Sequence, residues 1–300
     1  MAWDTHDQTH TVAAIDPAGR LLGHATFPAD RAGYRLLLGW LRRHGDVVRL
    51  GVEGTGSYGA GLARFLTAAG VELVEIDRPD RQTRRRLGKS DPIDAEAAAR
   101  ATLAATATGT PKTRTGPVEA IRVLRVARRG AIKARTAALN TLVQTVVSAP
   151  EALHHQLTGL RGARLVQAAA ALRPSGDLTD PAQATKLALR RLAQRCGTST
   201  PRSPPPTTTS TLIKAAAPSL LAQYGVGVDV AGQLLVTAGD NPDRLRTEAA
   251  FAALCGASPV PVSSGRTDRH RLNRGGDRHA NSALFTVTMV RMCHHQPTRD

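Results

Sequence analysis

The chain has 300 residues, of which 41% are hydrophobic and 3% aromatic, enough apolar sequence for more than one domain. Its 40 Lys and Arg against 24 Asp and Glu give a net charge of +16, which favours a polyanionic partner such as nucleic acid. No apolar run approaches about 18 residues, no signal peptide opens the chain, and the three cysteines lack a C-x-x-C spacing, so we expect a cytoplasmic protein without membrane spans, a disulfide framework or a zinc site.

The first 76 residues predict a β-hairpin followed by alternating helices and strands. In order, these are strands at 11–15 and 21–27, a helix from Asp30 to Gly45, a strand at 47–52, a helix at 58–69 and a strand at 71–76. With a very short first strand at Met1–Asp4, this is the order of the ribonuclease-H-like fold. We therefore expect an α/β fold with a mixed sheet and helices on both faces.

The stretch Lys89-Ser90-Asp91-Pro92-Ile93-Asp94-Ala95 predicts the start of a helix. Proline is tolerated in the first helical turn, so Asp91 is expected as the N-cap and Asp94 as the third helical residue. On its own, the pattern is explained by a well-capped helix. The loop before it is strongly basic and carries Arg81, Arg84, Arg85, Arg86 and Lys89.

A long helix is predicted from Pro117 to about Val147. Basic residues recur along one side of it, which indicates either a solvated face or contact with a nucleic-acid backbone; they are Arg122, Arg125, Arg129 and Lys133. Residues 151–195 have a helical pattern. The Pro/Thr/Ser-rich tract 196–211 has no apolar pattern and is interpreted as a linker or a disordered break.

The C-terminal part predicts helices at about 230–238 and 247–254, then a loop at 256–276 and a final helix capped by Asp277. The loop contains Ser263 and Ser264 and a basic set consisting of Arg266, Arg269, Arg271 and Arg274. We expect three domains: a sheet domain at 1–112, a helical connector at 113–214 and a small, mostly helical domain at 215–300.

Four carboxylates fall at strand ends or at the helix start, namely Asp4, Glu53, Asp91 and Asp94. In the expected sheet, the strands that carry Asp4 and Glu53 are neighbours, and the helix that follows Asp91 packs against them. Clustered carboxylates repel unless a cation compensates them, and sets of oxygen ligands select Mg²⁺ or Mn²⁺. Two such ions support phosphodiester chemistry. The alternative is that the four acids are scattered and unrelated.

Several motifs together resemble the insertion-sequence one-ten transposase family, which is related to the Piv DNA invertases. They are Asp4-Thr5-His6, Gly51-Val52-Glu53-Gly54-Thr55-Gly56, Lys89 to Ala95, Ala257-Ser258-Pro259 with Ser263-Ser264-Gly265, and Arg274-Gly275-Gly276-Asp277. The family combines an N-terminal RuvC-like DEDD domain with a second conserved domain. The resemblance covers most of the chain in two blocks of matching order.

The resemblance implies a function and its residues. The family's metal-binding tetrad matches Asp4, Glu53, Asp91 and Asp94, and its nucleophilic serine matches Ser264, with Ser263 the less favoured choice. The family implies a homo-oligomer, dimer or tetramer, whose active site is shared between subunits. It also implies donor and target DNA as partners, and a structured bridge RNA that selects both by base pairing.

Three features depart from the family pattern. The first strand is very short, a proline-rich tract stands where the family has a coiled coil, and the chain ends soon after its last helix. Two alternatives therefore stay open beside an active transposase. One is a RuvC-like, metal-dependent DNA endonuclease, and the other is an inactive remnant that only binds nucleic acid.

Overall fold

The computed structural model describes residues 2–5, 7–76, 90–105, 109–198 and 206–299. Its contacts divide the chain into two compact units. The first, which we call the sheet unit, combines residues 1–119 with 223–300. The second, the helical unit, consists of residues 120–222. The basic loop residues Arg84, Arg85, Arg86 and Lys89 lie outside the described residues.

The sheet unit contains a five-stranded mixed sheet with the spatial order β3-β2-β1-β4-β5. The strands are β1 (Ala2–Thr5), β2 (Thr9–Ile15), β3 (Leu21–Pro28), β4 (Leu50–Glu53) and β5 (Leu73–Ile76). The first three pair antiparallel, whereas β1–β4 and β4–β5 pair parallel. This is the ribonuclease-H-like arrangement expected from the sequence, and the prediction is confirmed.

Helices cover both faces of the sheet, because the side chains of β2 alternate between two cores. Val12 and Ala14 belong to one core, which includes the buried leucines of α1 (Arg31–Arg43) and α2 (Ala60–Ala68). Ala13 and Ile15 belong to the other core, which includes Ile76 and the alanines of α3 (Asp91–Leu103). We call these the α1–α2 core and the α3 core.

The start of α1 agrees with its local sequence, whereas β4 begins later than its sequence predicts. The carboxylate of Asp30 accepts a hydrogen bond from the N–H of Gly33 at 2.7 Å, as an N-cap should. The strand expected from Val47 starts instead at Leu50, and Val48 is 80% exposed. Among the described residues, Val47 and Val48 have no strand partner, because β5 begins at Leu73, which pairs with Leu50.

The helical unit takes in most of α4 (Pro117–Val147) and five more helices. These are α5 (Glu151–Leu157), α6 (Gly162–Ala171), α7 (Pro181–Thr198), α8 (Pro206–Ala216) and α9 (Pro218–Leu221). The end of α4 packs with α5, α6 and α7 around one core, formed by Leu142, Val146, Leu153, Leu157, Leu165, Ala169, Leu172, Leu189 and Ala193. This part of the chain is thus a folded bundle with its own core.

Helices enter both ends of the Pro/Thr/Ser-rich tract. Cys196, which is buried, lies in α7, and α8 begins at Pro206. A proline in the first turn of a helix loses no hydrogen bond, so Pro206 is compatible with a helix start. The buried Ile213 then gives α8 an apolar contact. Residues 199–205 lie outside the described part of the chain.

The remaining part of the sheet unit contains α10 (Val228–Ala238), α11 (Glu248–Leu254), α12 (Arg278–His294) and α13 (Gln296–Arg299). Between α11 and α12 runs a hairpin of β6 (Val260–Pro261) and β7 (His270–Arg271), where only a loop was expected. Asp277 caps α12 by accepting from the N–H groups of His279 and Ala280, as predicted. Within the described residues, no helix is long and apolar enough to cross a membrane.

Candidate active site

Glu53 is the last residue of β4 and lies on the sheet face that α3 covers. Leu50 and Val52 belong to the α1–α2 core, so strand alternation puts Glu53 on the opposite face. Its register partner across β5 is Ile76, which belongs to the α3 core. One carboxylate oxygen of Glu53 is buried.

Asp4 occupies the corresponding position on the neighbouring strand. The parallel register of β1 and β4 pairs Ala2 with Gly51 and Trp3 with Val52, so Asp4 and Glu53 are the next positions along. On the other side of β1, the Cα of Asp4 is paired with that of Thr11. The backbone therefore brings Asp4 and Glu53 to the same end of adjacent strands. The side chain of Asp4 lies outside the described part of the structure.

The helix that carries Asp91 and Asp94 begins one residue earlier than the sequence indicated. Ser90 is the N-cap, and Asp91 is the first helical residue, so the assignment of Asp91 as the cap was wrong. Ser and Asp are both good caps, and the backbone N–H of Asp94 bonds to the Ser90 carbonyl at 3.0 Å. Asp94 is 2% exposed, and Ala95 beside it packs in the α3 core.

The donor chemistry of these positions fits a hard divalent cation. All four are carboxylates, and Asp94 together with part of Glu53 is buried on the α3 side, where a charged carboxylate needs compensation. Among the side chains that the structure describes, no group of three or more His, Cys, Asp or Glu is close enough to hold a metal ion. Asp4, which would complete the set, is outside that search.

The loop after Glu53 is held by a contact that the sequence did not reveal. Thr55 is 2% exposed, and its hydroxyl donates to the carboxylate of Glu75 on β5. The other oxygen of that carboxylate lies 3.9 Å from the guanidinium of Arg244. Arg244 also donates to the Thr110 carbonyl at 2.9 Å. A chain of polar contacts thus connects the loop after Glu53 to the segment that follows α10.

That segment is bound to residues 109–118 by further hydrogen bonds. Lys112 Nζ donates to the Val236 carbonyl at 2.6 Å, and the Asn241 amide donates to the Pro111 carbonyl at 3.1 Å. Burial lowers the pKa of Lys112 from 10.5 to about 8, with Arg244 and Arg114 adding to the effect. The Asp240 carboxylate accepts from the N–H of Val118 at 3.1 Å and caps the start of α4. The two chain segments of the sheet unit are therefore joined by polar contacts.

Ser264 lies at the tip of the β6–β7 hairpin. Backbone hydrogen bonds between Ser264 and Thr267, at 3.2 and 3.1 Å, close the tip around Gly265 and Arg266. Gly265 has φ +56°, which favours glycine and explains the Ser-Gly pair. Within the described residues, the Ser264 hydroxyl makes no side-chain hydrogen bond, either to Glu53, Asp91 and Asp94 or to any other group. It is exposed to solvent.

The hydroxyl of Ser263, in contrast, is used within the hairpin. It donates to the carboxylate of Asp268 at 2.8 Å and accepts from the N–H of Arg269 at 3.2 Å. These bonds cross between the two arms of the hairpin, next to the backbone bond from the Val262 N–H to the Arg269 carbonyl at 2.8 Å. Ser263 therefore fixes the shape of the tip, and Ser264 is presented by it.

The Gly-Gly-Asp motif after the hairpin also has a structural role. A Cβ on Gly276 would lie 2.1 Å from the backbone nitrogen of Gly256, so only glycine fits there. The next residue, Asp277, accepts hydrogen bonds from the Thr237 hydroxyl at 2.7 Å and from the cap N–H groups of α12. Burial alone would raise the pKa of Asp277, but these hydrogen bonds lower it overall. The motif thus ties the hairpin to α10, α11 and α12.

The predicted nucleic-acid contacts differ in exposure. The hairpin and the turn after it expose all four predicted arginines, Arg266, Arg269, Arg271 and Arg274. On α4, Lys133 is exposed, whereas the three arginines of the predicted stripe, Arg122, Arg125 and Arg129, are half-buried. Phosphate contacts need accessible cations, so the hairpin is the better presented of the two sets.

The strand order, the acidic positions at one end of the sheet and the helix over them define a RuvC-like domain of the ribonuclease-H class. A family model described as "Transposase", of the DEDD and IS110 type, matches residues 1–149. A second, described as "Transposase IS116/IS110/IS902 family", matches residues 218–300. The chain therefore belongs to the IS110 family of transposases. No match was found among curated proteins.

Family membership indicates the class of protein and its substrate. The chain is a transposase or recombinase of an insertion sequence, its substrate is DNA, and its DEDD domain implies dependence on a divalent metal. The resemblance stated from the sequence motifs is thus confirmed.

Proposed function

We propose that this transposase cuts and exchanges DNA strands through a covalent link between Ser264 and a DNA phosphate. Metal binding is assigned to Asp4, Glu53, Asp91 and Asp94, with Mg²⁺ or Mn²⁺ as the ion. The observation that carries the proposal is the strand register, which makes Asp4 and Glu53 neighbouring positions on adjacent strands of the sheet that α3 packs against. Bound divalent ions supply positive charge that stabilises the phosphorane-like transition state.

Bonds and protons balance in the proposed step. The Ser264 oxygen forms a bond to phosphorus while the bond from phosphorus to the leaving nucleotide oxygen breaks. The serine proton passes to solvent, and the leaving oxygen takes up a proton or is kept for rejoining. Strand exchange follows when another strand's hydroxyl attacks the serine–phosphate ester and releases Ser264. No co-reactant is consumed, because the phosphodiester bond energy is conserved in the ester.

Hydrogen bonding within the hairpin supports Ser264 over Ser263. The Ser263 hydroxyl already bonds to Asp268 and to the Arg269 N–H, whereas the Ser264 hydroxyl makes no hydrogen bond within the described residues. Four exposed arginines follow this position, namely Arg266, Arg269, Arg271 and Arg274, and would hold phosphates near the attacked one. Because the Ser264 hydroxyl makes no hydrogen bond to the described acids, we propose an active site completed by another subunit's hairpin in a homo-oligomer.

Sequence selection is assigned to base pairing. We propose that a structured guide RNA pairs with donor and target DNA, so that the protein mainly holds nucleic-acid backbones. The net charge of +16 and the exposed arginines of the hairpin support this division of roles.

A suicide DNA substrate, nicked so that the cleaved strand cannot rejoin, tests the nucleophile. We expect a covalent protein–DNA adduct with Mg²⁺ that maps to residue 264 by peptide mass spectrometry. Ser264→Ala should abolish it, and Glu53→Gln should reduce it at least 100-fold, because removing one ligand or catalytic group typically costs that much. Ser263→Thr, which keeps the hydroxyl, is the matched control and should retain the adduct at residue 264.

The same experiment separates the alternatives. An adduct that persists in Ser264→Ala would sink the assignment of the nucleophile. Cleavage without any adduct, unaffected by Ser264→Ala and lost in Glu53→Gln, would identify a hydrolytic RuvC-like endonuclease. Binding without cleavage in either Mg²⁺ or Mn²⁺ would identify an inactive remnant. The lack of a hydrogen bond between Ser264 and the described acids keeps the hydrolytic alternative in the test.

A further inference from the structure

The positive charge of the chain is concentrated in the helical unit. Residues 120–222 contain fifteen Lys and Arg against three Asp and Glu, whereas the sheet unit contains twenty-five against twenty-one. About a third of the chain therefore carries most of the net charge of +16. Neither the acidic tetrad nor the serine hairpin lies in this unit, so the proposed chemistry does not explain its charge.

The few acids of the helical unit are engaged locally and do not neutralise its arginines. Asp177 accepts hydrogen bonds from the N–H and hydroxyl of Thr179, and Asp180 accepts from the N–H of Ala182 at 2.9 Å. Asp180 immediately precedes α7, where a negative charge suits the helix dipole, and Asp177 lies in the turn before it. Glu151 lies 3.7 Å from His155 on α5. All three acids are thus used in capping or local contacts.

The last two turns of α7 present cations on the side away from the core. Leu189, Ala193 and Cys196 are buried on one side of this helix. At 100° per residue, Arg191 and Arg195 point to the opposite side, with Arg190 at its edge. All three arginines are exposed. In the described part of the chain, none of them has an ion pair or a side-chain hydrogen bond.

Three unpaired guanidinium groups within two turns repel one another, so the bundle does not gain stability from them. These guanidinium groups become favourable when they bind the phosphates of a polyanion, because the counterions condensed on it are then released into bulk solvent. Guanidinium also matches the two oxygens of a phosphodiester in a bidentate fashion. An anionic bilayer is a poorer match, because the apolar side of α7 is already in the core and none is left to insert into lipid.

We propose that the surface formed by Arg190, Arg191 and Arg195 on α7, the α7 face, binds the phosphodiester backbone of nucleic acid. It is a second binding surface, separate in sequence from the hairpin arginines and from the acidic positions. Its contacts are to the backbone and carry no sequence information, so both DNA and structured RNA are within its ligand class. The inference rests on the proposed function only in taking nucleic acid as the partner.

The test measures binding without chemistry. The triple variant Arg190→Gln, Arg191→Gln, Arg195→Gln is made in a Ser264→Ala background, and duplex DNA and a structured RNA are titrated in EDTA by fluorescence anisotropy. Loss of three phosphate contacts should make the slope of log affinity against log salt shallower by about 2.7. Between 50 and 200 mM salt, the variant should then lose about 40-fold less affinity than its parent.

A matched control separates a specific surface from net charge. Arg31→Gln, Arg35→Gln, Arg42→Gln removes three exposed arginines from α1 of the sheet unit and changes the net charge equally. We expect its salt slope to stay within 0.5 of the parent value, a threshold of about half of one phosphate contact. Circular dichroism of both variants should match the parent, because all six side chains are exposed.

Each outcome of the binding experiment either supports or overturns the proposal. A shallower slope on DNA, on RNA or on both supports the α7 face and identifies the nucleic acid it holds. An unchanged slope in the α7 variant, or an equal change in the α1 control, overturns it. Binding to phosphatidylserine vesicles that the α7 variant alone loses, with nucleic-acid binding intact, also overturns it. Since no cleavage is measured, failure of the serine mechanism would appear only in the adduct experiment.

Discussion

The two units of this transposase differ in the balance of their charges and in the exposure of their charged side chains. In the sheet unit, cations and anions are nearly balanced, and several are half-buried against partners, such as Lys112 on the Val236 carbonyl and Arg244 beside Glu75. In the helical unit, cations outnumber acids fivefold, and the three arginines of α7 are exposed on the side away from an apolar core. Burying a charge is tolerated only with a partner, whereas exposing it costs little.

The difference matches two kinds of task. A site for phosphodiester chemistry must fix a few carboxylates and one hydroxyl to within fractions of an ångström, and buried polar contacts such as Thr55 to Glu75 provide that rigidity. Holding a long backbone requires only accessible cations at approximate spacing. Under the two proposals, the first task belongs to the sheet unit and the second to the helical unit.

The largest expected effect tests whether the two units have separate cores. Leu66→Ala in the α1–α2 core and Leu189→Ala in the helical core each remove a fully buried side chain. Each should lower the free energy of opening of its own unit by about 2–5 kcal/mol. Hydrogen exchange read by mass spectrometry should show faster exchange in α5, α6 and α7 for Leu189→Ala, and in the sheet for Leu66→Ala.

Val48→Ala serves as the control, because this side chain is 80% exposed and its loss should change stability by no more than about 0.5 kcal/mol. Equal loss of protection in both units from either leucine variant would show a single cooperative core and break the comparison.

Most of the sheet unit's architecture follows from local pattern. A hairpin, then alternating helices and strands, was sufficient to predict the strand order and helices on both faces. The acidic positions followed because parallel strands end at one edge of a sheet. Ser90 and Asp91 are both cap-forming residues, which is why the helix start was misassigned by one position. The site assignments themselves stay predictions.

Two kinds of feature could not be predicted from the sequence: very short strands, and contacts between residues far apart in the chain. Strands of two residues, as in β6 and β7, have no measurable periodicity, so the hairpin that presents Ser264 was read as a loop. The contacts of Lys112 and Asp240 join segments more than 120 residues apart and leave no local signal. A proline-rich composition also hid the start of α8, since Pro206 is compatible with a helix N-terminus.

A second prediction concerns Lys112, a half-buried cation of the sheet unit. Burial lowers the pKa of Lys112 from 10.5 to about 8, so between these pH values the unfolded chain binds more protons than the folded one. The free energy of unfolding contributed by Lys112 must therefore rise with pH across this window. Allowing for partial solvent screening, the rise is on the order of 2 kcal/mol. Lys112→Met should remove it.

The comparison is made by urea denaturation at pH 7.5 and pH 10 for the parent and each variant. Lys133→Met, on the exposed side of α4, is the matched control, and its rise should equal that of the parent. Other groups that titrate in this range contribute equally to all three proteins. If Lys112→Met keeps the parent's full pH dependence, the charge of Lys112 does not lower the free energy of unfolding.

The smallest expected effect comes from the cap on α4, which begins within the sheet unit. Asp240 accepts hydrogen bonds from the N–H groups of Gly116 and Val118, the orphan donors of the first turn, although it lies more than 120 residues away. Asp240→Ala leaves both donors without this partner and should cost about 1 kcal/mol in urea denaturation. Asp240→Asn keeps the acceptor oxygen and should lose only a few tenths. Asp243→Ala, three residues on and exposed, should be neutral. If Asp240→Ala is also neutral, the polar contacts between the two segments of the sheet unit do not contribute to its free energy of unfolding. Pairing between opposite charges would then not explain why that unit is nearly balanced in charge.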